Sequence, residues 1–238
     1  MNDMPEGIPG WYGKIASLGD FASRRLAPEF VSRWDGWLQQ VMSASHGHLG
    51  EAWLDAYLTS PVWRFILFPG VCGESTWVGV FMPSVDKVGR YFPITIACES
   101  PDFATTEREF NALADWLDRI ESLALTTLDT SRTVQQFDDA LLALRMPAPA
   151  PPRVVLARQL VGVLRSDEAA MFTLPSDDEL AQTLMGAGAS VLRDAVRGGS
   201  LWWAPSGPGA GAPLLACRGL PDGARFTAML RAVPTRHA

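Results

Sequence analysis

Residues 62–98 read VWRFILFPGVCGESTWVGVFMPSVDKVGRYFPITIAC. Three runs, VWRFILF from Val62, TWVGVFM from Thr76 and FPITIAC from Phe92, are rich in β-branched and aromatic residues, as strands are. The pieces between them, PGVCGES and PSVDKVGRY, have the length and the Gly, Pro, Asp and Ser content of hairpin connections. Three strands joined by such short loops predict an antiparallel meander, with the second loop on a hairpin at the edge of the sheet.

Upstream, a short apolar segment around Trp11 and Tyr12 precedes a loop with Gly19 and Asp20. Phe30, Trp34, Trp37, Leu38 and Val41 then recur at helical spacing. A second helical stretch from about Gly50 to Thr59 carries Trp53, Leu54, Tyr57 and Leu58, and Pro61 forces the chain out of it. Downstream, TTEREFNALADWLDRIESLALTTL sets Phe110, Leu113, Leu117, Ile120 and Ala124 on one face of a helix. A shorter helix with Val134, Phe137, Leu141 and Leu144 ends before PAPAPP at 147–152, the one linker candidate, where repeated proline favours extended chain.

VVLARQLVGVLR fits either strand or helix, and SDDELAQTLMGAGASVLRDAVRGG reads as a helix with an acidic start and a glycine end. SLWWAP and PLLACRGLP read as two strands about a Gly/Pro-rich turn, SGPGAGAP at 206–213, followed by the helix ARFTAMLRA and a frayed tail PTRHA. Of nine tryptophans, most sit among apolar neighbours, but Trp202 and Trp203 are adjacent in a strand and must face opposite ways. The pattern predicts an α/β fold: a helix-covered sandwich around a central mixed, largely antiparallel sheet of about six strands. Two strands after the prolines make a poor sheet alone, so one domain is expected over 1–238, with a split at the prolines as the alternative.

With 20 basic against 26 acidic residues and a formal net charge of −6, the chain lacks the footprint of a nucleic-acid binder. No apolar run approaches the roughly 20 residues that cross a bilayer, and an acidic MNDMPEGIPG is unlike a secretory signal, so a cytoplasmic protein without membrane insertion is expected. Cys72, Cys98 and Cys217 have neither disulfide nor zinc spacing and read as small buried hydrophobes. His46 and His48 read as a solvated loop and His237 lies in the tail, so no metal and no cofactor are expected.

No phosphate loop and no G-x-S-x-G elbow is present, and GAGAS at 186–190 interrupts a helix without following a strand. In the loop from Ser84 to Arg90, Ser84 lacks a base, since a charged Lys87 accepts no proton. The structural reading has Ser84 and Asp86 capping turn amides, Gly89 supplying a positive φ, and Arg90 pairing with Asp86. That leaves the neighbouring Tyr91 and Phe92 unexplained, because Arg beside bulky aromatics is the composition of binding hot spots.

GWYGKIASLGDFASRRL, YLTSPVWRFILFPG and GVFMPSVDKVGRYFPIT, in this order, resemble the type VI secretion-associated TagF/ImpM family, and SLWWAPSGPG and GLPDGARFTAML resemble its C-terminal pattern. The likeness runs from Trp11 to about Leu230, with 147–200 the weakest part, and Ala16 and Leu18 depart from the family's leucine-proline-serine-arginine-glycine-aspartate. The resemblance implies an α/β sandwich without catalytic activity. It also implies an accessory regulator that represses type VI secretion after translation by engaging a forkhead-associated scaffold protein. Lys14, Asp20, Arg24, Ser84, Asp86, Arg90 and Tyr91 match or adjoin its motif positions and are expected to form a signature or partner-binding surface. The alternative is a small nucleotide- or phosphate-binding enzyme using the Ser84 to Arg90 loop.

Overall fold

The computed structural model describes residues 7–100, 106–148, 151–167, 169–174, 178–205 and 211–232. In chain order the elements are β1 (Gly10–Gly13), β2 (Ala22–Arg24), α1 (Pro28–Leu49), α2 (Trp53–Thr59), β3 (Trp63–Leu67), β4 (Thr76–Met82), β5 (Ile94–Ser100), α3 (Glu107–Leu125), α4 (Val134–Leu142), α5 (Pro151–Leu164), α6 (Asp178–Ala195), β6 (Gly199–Trp203), β7 (Leu214–Arg218) and α7 (Gly223–Arg231). The strands form one seven-stranded sheet in the order β2-β1-β5-β4-β3-β6-β7. Every pairing is antiparallel, so the meander read from residues 62–98 is its centre.

Strand alternation sends successive side chains to opposite faces, and each face meets its own helices. Phe65 and Leu67 of β3, Trp77 and Phe81 of β4 and Trp202 of β6 join Phe30, Trp34, Trp37 and Val41 of α1, Trp53 and Tyr57 of α2, and Phe226, Met229 and Leu230 of α7 in one core. Trp11, Ile66, Val78, Val80, Ile94 and Ile96 join Leu113, Trp116, Leu117 and Ile120 of α3 with Phe137 and Leu141 of α4 in the other. The result is the helix-covered α/β sandwich. Helix α3 opens on a reciprocal cap: the Thr106 hydroxyl accepts from the Glu109 amide while Glu109 accepts from the Thr106 amide.

Several details differ from the sequence reading. The seventh strand is β2, three residues (ASR) without apolar alternation, and it pairs only with β1 among the described strands. No parallel pair occurs among the described strands, so the sheet is not mixed. Pro151 and Pro152 open α5 instead of extending the connector, because a helix's first turn needs no intrahelical N–H there. Residues 149 and 150, the acidic start at 176–177, the turn residues 206–210 and the tail 233–238 lie outside the described residues. Phe110 is exposed and Trp116 takes its place in the core. His46 and His48 lie in the last turn of α1 rather than in a loop, His48 Nδ1 being 3.0 Å from Thr227 Oγ1. Trp202 is fully buried, while Trp203, on the other face, is only partly covered.

Cys72 and Cys98 are buried, and burial pushes both thiols up to about 12, whereas Cys217 is half-buried. Thiolate is the reactive form. Ellman's reagent at pH 8 should therefore titrate about one thiol quickly in the native protein, and all three after denaturation. Rapid native labelling of all three would contradict this packing.

Candidate functional site

The loop between β4 and β5 is held by one carboxylate. Asp86 Oδ1 accepts from the Val88 and Arg90 amides at 3.0 and 2.9 Å, and Oδ2 accepts from Arg90 Nε at 2.6 Å and Lys14 Nζ at 2.7 Å. Gly89, at φ 84, makes the turn that points both amides inward, a conformation that favours glycine. The backbone closes around it: Asp86 N donates to Arg90 O at 3.1 Å and Phe92 N to Ser84 O at 3.1 Å. The expected Asp86–Arg90 brace is therefore present, but β4 and β5 are interior strands, so the loop stands at the middle of the sheet's end, not beside an edge strand.

The second half of the arrangement comes from the loop between β1 and β2. Gly13 lies so close to Pro93 that an added Cβ would sit 2.1 Å from its carbonyl oxygen, which lets β1 run tight against β5 and delivers Lys14 to Asp86. Lys14 and Asp86 are each only 3 % exposed, and the ammonium also lies 4.7 Å from the centre of the Phe21 ring. Burial alone would raise the Asp86 pKa, but Lys14, the Arg90 amide and guanidinium and the Val88 amide outweigh it and hold the carboxyl well below its usual range. Ser84 Oγ donates to Lys14 O at 2.8 Å, Lys87 N donates to Leu18 O at 2.8 Å, and Arg90 Nη2 donates to Gly19 O. From α2, the Tyr57 hydroxyl donates to Ser84 O and accepts from Ser84 N, each at 2.9 Å.

Of the seven residues singled out from sequence, Lys14, Ser84, Asp86 and Arg90 thus meet in one network, and Ser84 ties two loops together instead of capping its own turn. Tyr91 adjoins it, its ring 5.9 Å from Tyr57 and 6.3 Å from Trp53. Asp20 is exposed and accepts from the Phe21 amide at 2.8 Å. Arg24 stands apart, since strand alternation turns it to the other face of β1–β2, where its charge acts on Asp138. Tyr57, Phe21 and the Val88 tip were not singled out. Phe21, packed 4.7 Å from Phe92, sits inside the stretch GWYGKIASLGDFASRRL that carries the family resemblance.

A second polar cluster escaped the sequence reading. Buried Asp138 of α4 accepts from Trp11 Nε1 at 2.8 Å and from both terminal nitrogens of Arg25, whose Nε donates to Pro9 O at 3.0 Å. Burial works against the Asp138 carboxylate, but Arg25, Trp11 and the nearby Arg24 charge overcome it and lower its pKa. The cluster pins α4 to the first two strands. Among the described residues, no three His, Cys, Asp or Glu side chains gather as metal ligands, and no helix is long and apolar enough to cross a membrane.

Residues 10–144 match the family described as the TagF N-terminal domain, type VI secretion system-associated. The chain belongs to the TagF family. The matched span includes both signature loops, α1 to α4 and the five strands β1 to β5. Comparison with curated proteins returns no match. Among solved structures, the crystal structure of PA0076 from Pseudomonas aeruginosa PAO1 is 37% identical over 93% of this chain and 93% of that one, with a TM-score of 0.69. At 93% coverage the likeness to PA0076 extends well past the TagF N-terminal match. The Lys14–Asp86 network lies wholly inside the TagF-matched part.

Proposed function

We propose that this protein is a cytoplasmic, non-catalytic regulator that represses type VI secretion after translation by binding a forkhead-associated scaffold component. The observation that carries it is the TagF match over 10–144, which ties the chain to that secretion system. The loop's own chemistry supports a binding role over the enzyme alternative. Ser84 is buried with its hydroxyl donated to a carbonyl, and the Asp86 carboxylate already receives four donors, so neither is free to act as nucleophile or base toward a substrate.

Deletion and overexpression in the native host test the proposal, scored by effector release. Deletion should increase release and overexpression should silence it, while the purified protein should bind the forkhead-associated component. Unchanged release in both strains would overturn repression. A rise in Tm with nucleotide or a phosphorylated metabolite would favour the enzyme instead.

A further inference from the structure

Lys14, Ser84 and Asp86 are buried, so they cannot meet a partner; what matters for recognition is the rim they hold outward. That rim comprises Phe21 at 45%, Val88 at 68% and Tyr91 at 38% exposure, together with exposed Asp20, Lys87 and Arg90. Loop tips of this kind are ordinarily small, polar and mobile. Here the tip is fixed by a buried carboxylate with four donors and by the Lys87 N to Leu18 O bond, yet it carries a large apolar side chain, Val88, that touches no core. A rigid surface bearing an apolar tip between cations and flanked by aromatics is preorganised for binding, because little side-chain or loop freedom remains to be lost. Alongside, α2 packs Trp53 and Tyr57 near Tyr91 and leaves Leu54 and Leu58 exposed.

Charge identifies the partner. On a chain of net charge −6, the tip presents Lys87 and Arg90 on either side of Val88. Against these stands exposed Asp20, which accepts from the Phe21 amide and keeps its charge, while buried Lys14 offsets the Asp86 that Arg90 touches, so the rim carries a net positive charge. We infer that this rim docks an acidic protein surface with an apolar recess: Val88 enters the recess, Phe21 and Tyr91 line its edge, and Lys87 and Arg90 meet carboxylates around it. The inference rests on the regulatory reading above and names the face that the reading requires.

Its test uses the purified full chain, the purified forkhead-associated component and titration calorimetry, with the same variants overexpressed and scored for effector release. Val88→Asp should weaken binding at least about 30-fold. Lys87→Glu should weaken it about tenfold, and wild-type affinity should fall with salt. Both should keep the wild-type Tm, because neither side chain braces the loop. Leu142→Asp, at the exposed end of α4 on the opposite face, should bind and repress normally. If wild type binds and both rim variants bind equally well, the rim inference is overturned and the regulatory reading stands. If wild type does not bind this component, the scaffold assignment is overturned and release decides the rim. Loss of silencing by Val88→Asp alone would support docking to another acidic component, and retained silencing would end the inference.

Discussion

Lys14→Met should lower the melting temperature by about 5 °C or more even though methionine nearly matches the lysine in volume, because it takes the buried cation from a buried carboxylate and leaves it only the half-exposed Arg90 and two amides. Asp86 is 3% exposed, so bulk solvent has little access to replace the ammonium 2.7 Å from its Oδ2. The change also removes the cation over the Phe21 ring, whose centre lies 4.7 Å from the ammonium. Arg90→Ala takes away a partner whose side chain is 55% exposed, so its effect should be only a few degrees. Lys14→Met combined with Asp86→Asn removes both buried charges and should cost less than the sum of the single changes, since neither charge is left without the other. Strict additivity in that cycle would mean that the pair is not the strut.

The pH dependence of this effect has a definite sign. Asp86 is held below its ordinary carboxylate range in the folded protein, so the unfolded chain binds its proton at higher pH than the folded one. Its contribution is fully present above the unfolded pKa, near 4, and is lost as pH falls through the folded value. Asp138, also lowered, adds to the same acid limb. The Tm gap between wild type and Lys14→Met should therefore be wide at pH 7 and narrow steadily below about pH 4. A gap that stays constant down to pH 2 would rule out the ion pair as its cause.

What the sequence made legible follows the range of each interaction. The β3–β4–β5 meander was readable because alternation and short turns are local, and Asp86–Arg90 was readable because the partners stand four positions apart with a glycine between them. The Lys14–Asp86 pair joins residues 72 positions apart and depends on β1 lying against β5, which no local pattern encodes. The resemblance put both residues in one set, but only the fold shows that one is the other's support and that neither is surface. Arg24 and Arg25 are indistinguishable in the sequence. Strand pairing keeps Arg24 exposed, while Arg25, at φ 55, turns out of β2 to grip Asp138, 113 positions away. Helix α5 was ambiguous because an apolar run of that length suits a strand or a helix, and only its pairing with α6 decides.

Removing residues 147–238 should leave a chain that does not fold, although the family match ends at residue 144. In the full chain β6 covers the outer edge of β3, and Trp202 fills the centre of the first core with ring centres 5.8 Å from Trp34, 5.4 Å from Trp37 and 5.3 Å from Phe65. The same core closes from the C-terminal side through Phe226, 5.9 Å from both Trp37 and Phe81, and Trp37 Nε1 donates to Pro221 O at 2.6 Å. Truncation would bare a row of tryptophan and phenylalanine faces, an unpaired β3 edge and a buried indole N–H, each a known source of collapse or aggregation. The fragment should be insoluble, or lack near-ultraviolet circular dichroism and dispersed amide resonances. Trp202→Ala in the full chain gives the graded version, a loss of about 3–5 kcal/mol with one cooperative transition by both tryptophan fluorescence and far-ultraviolet circular dichroism. A folded, soluble fragment, or two separate transitions in the intact protein, would favour a split at the prolines. One cooperative loss would mean that the signature loops rest on a core completed by the last forty residues, so a truncation cannot report on the loops alone.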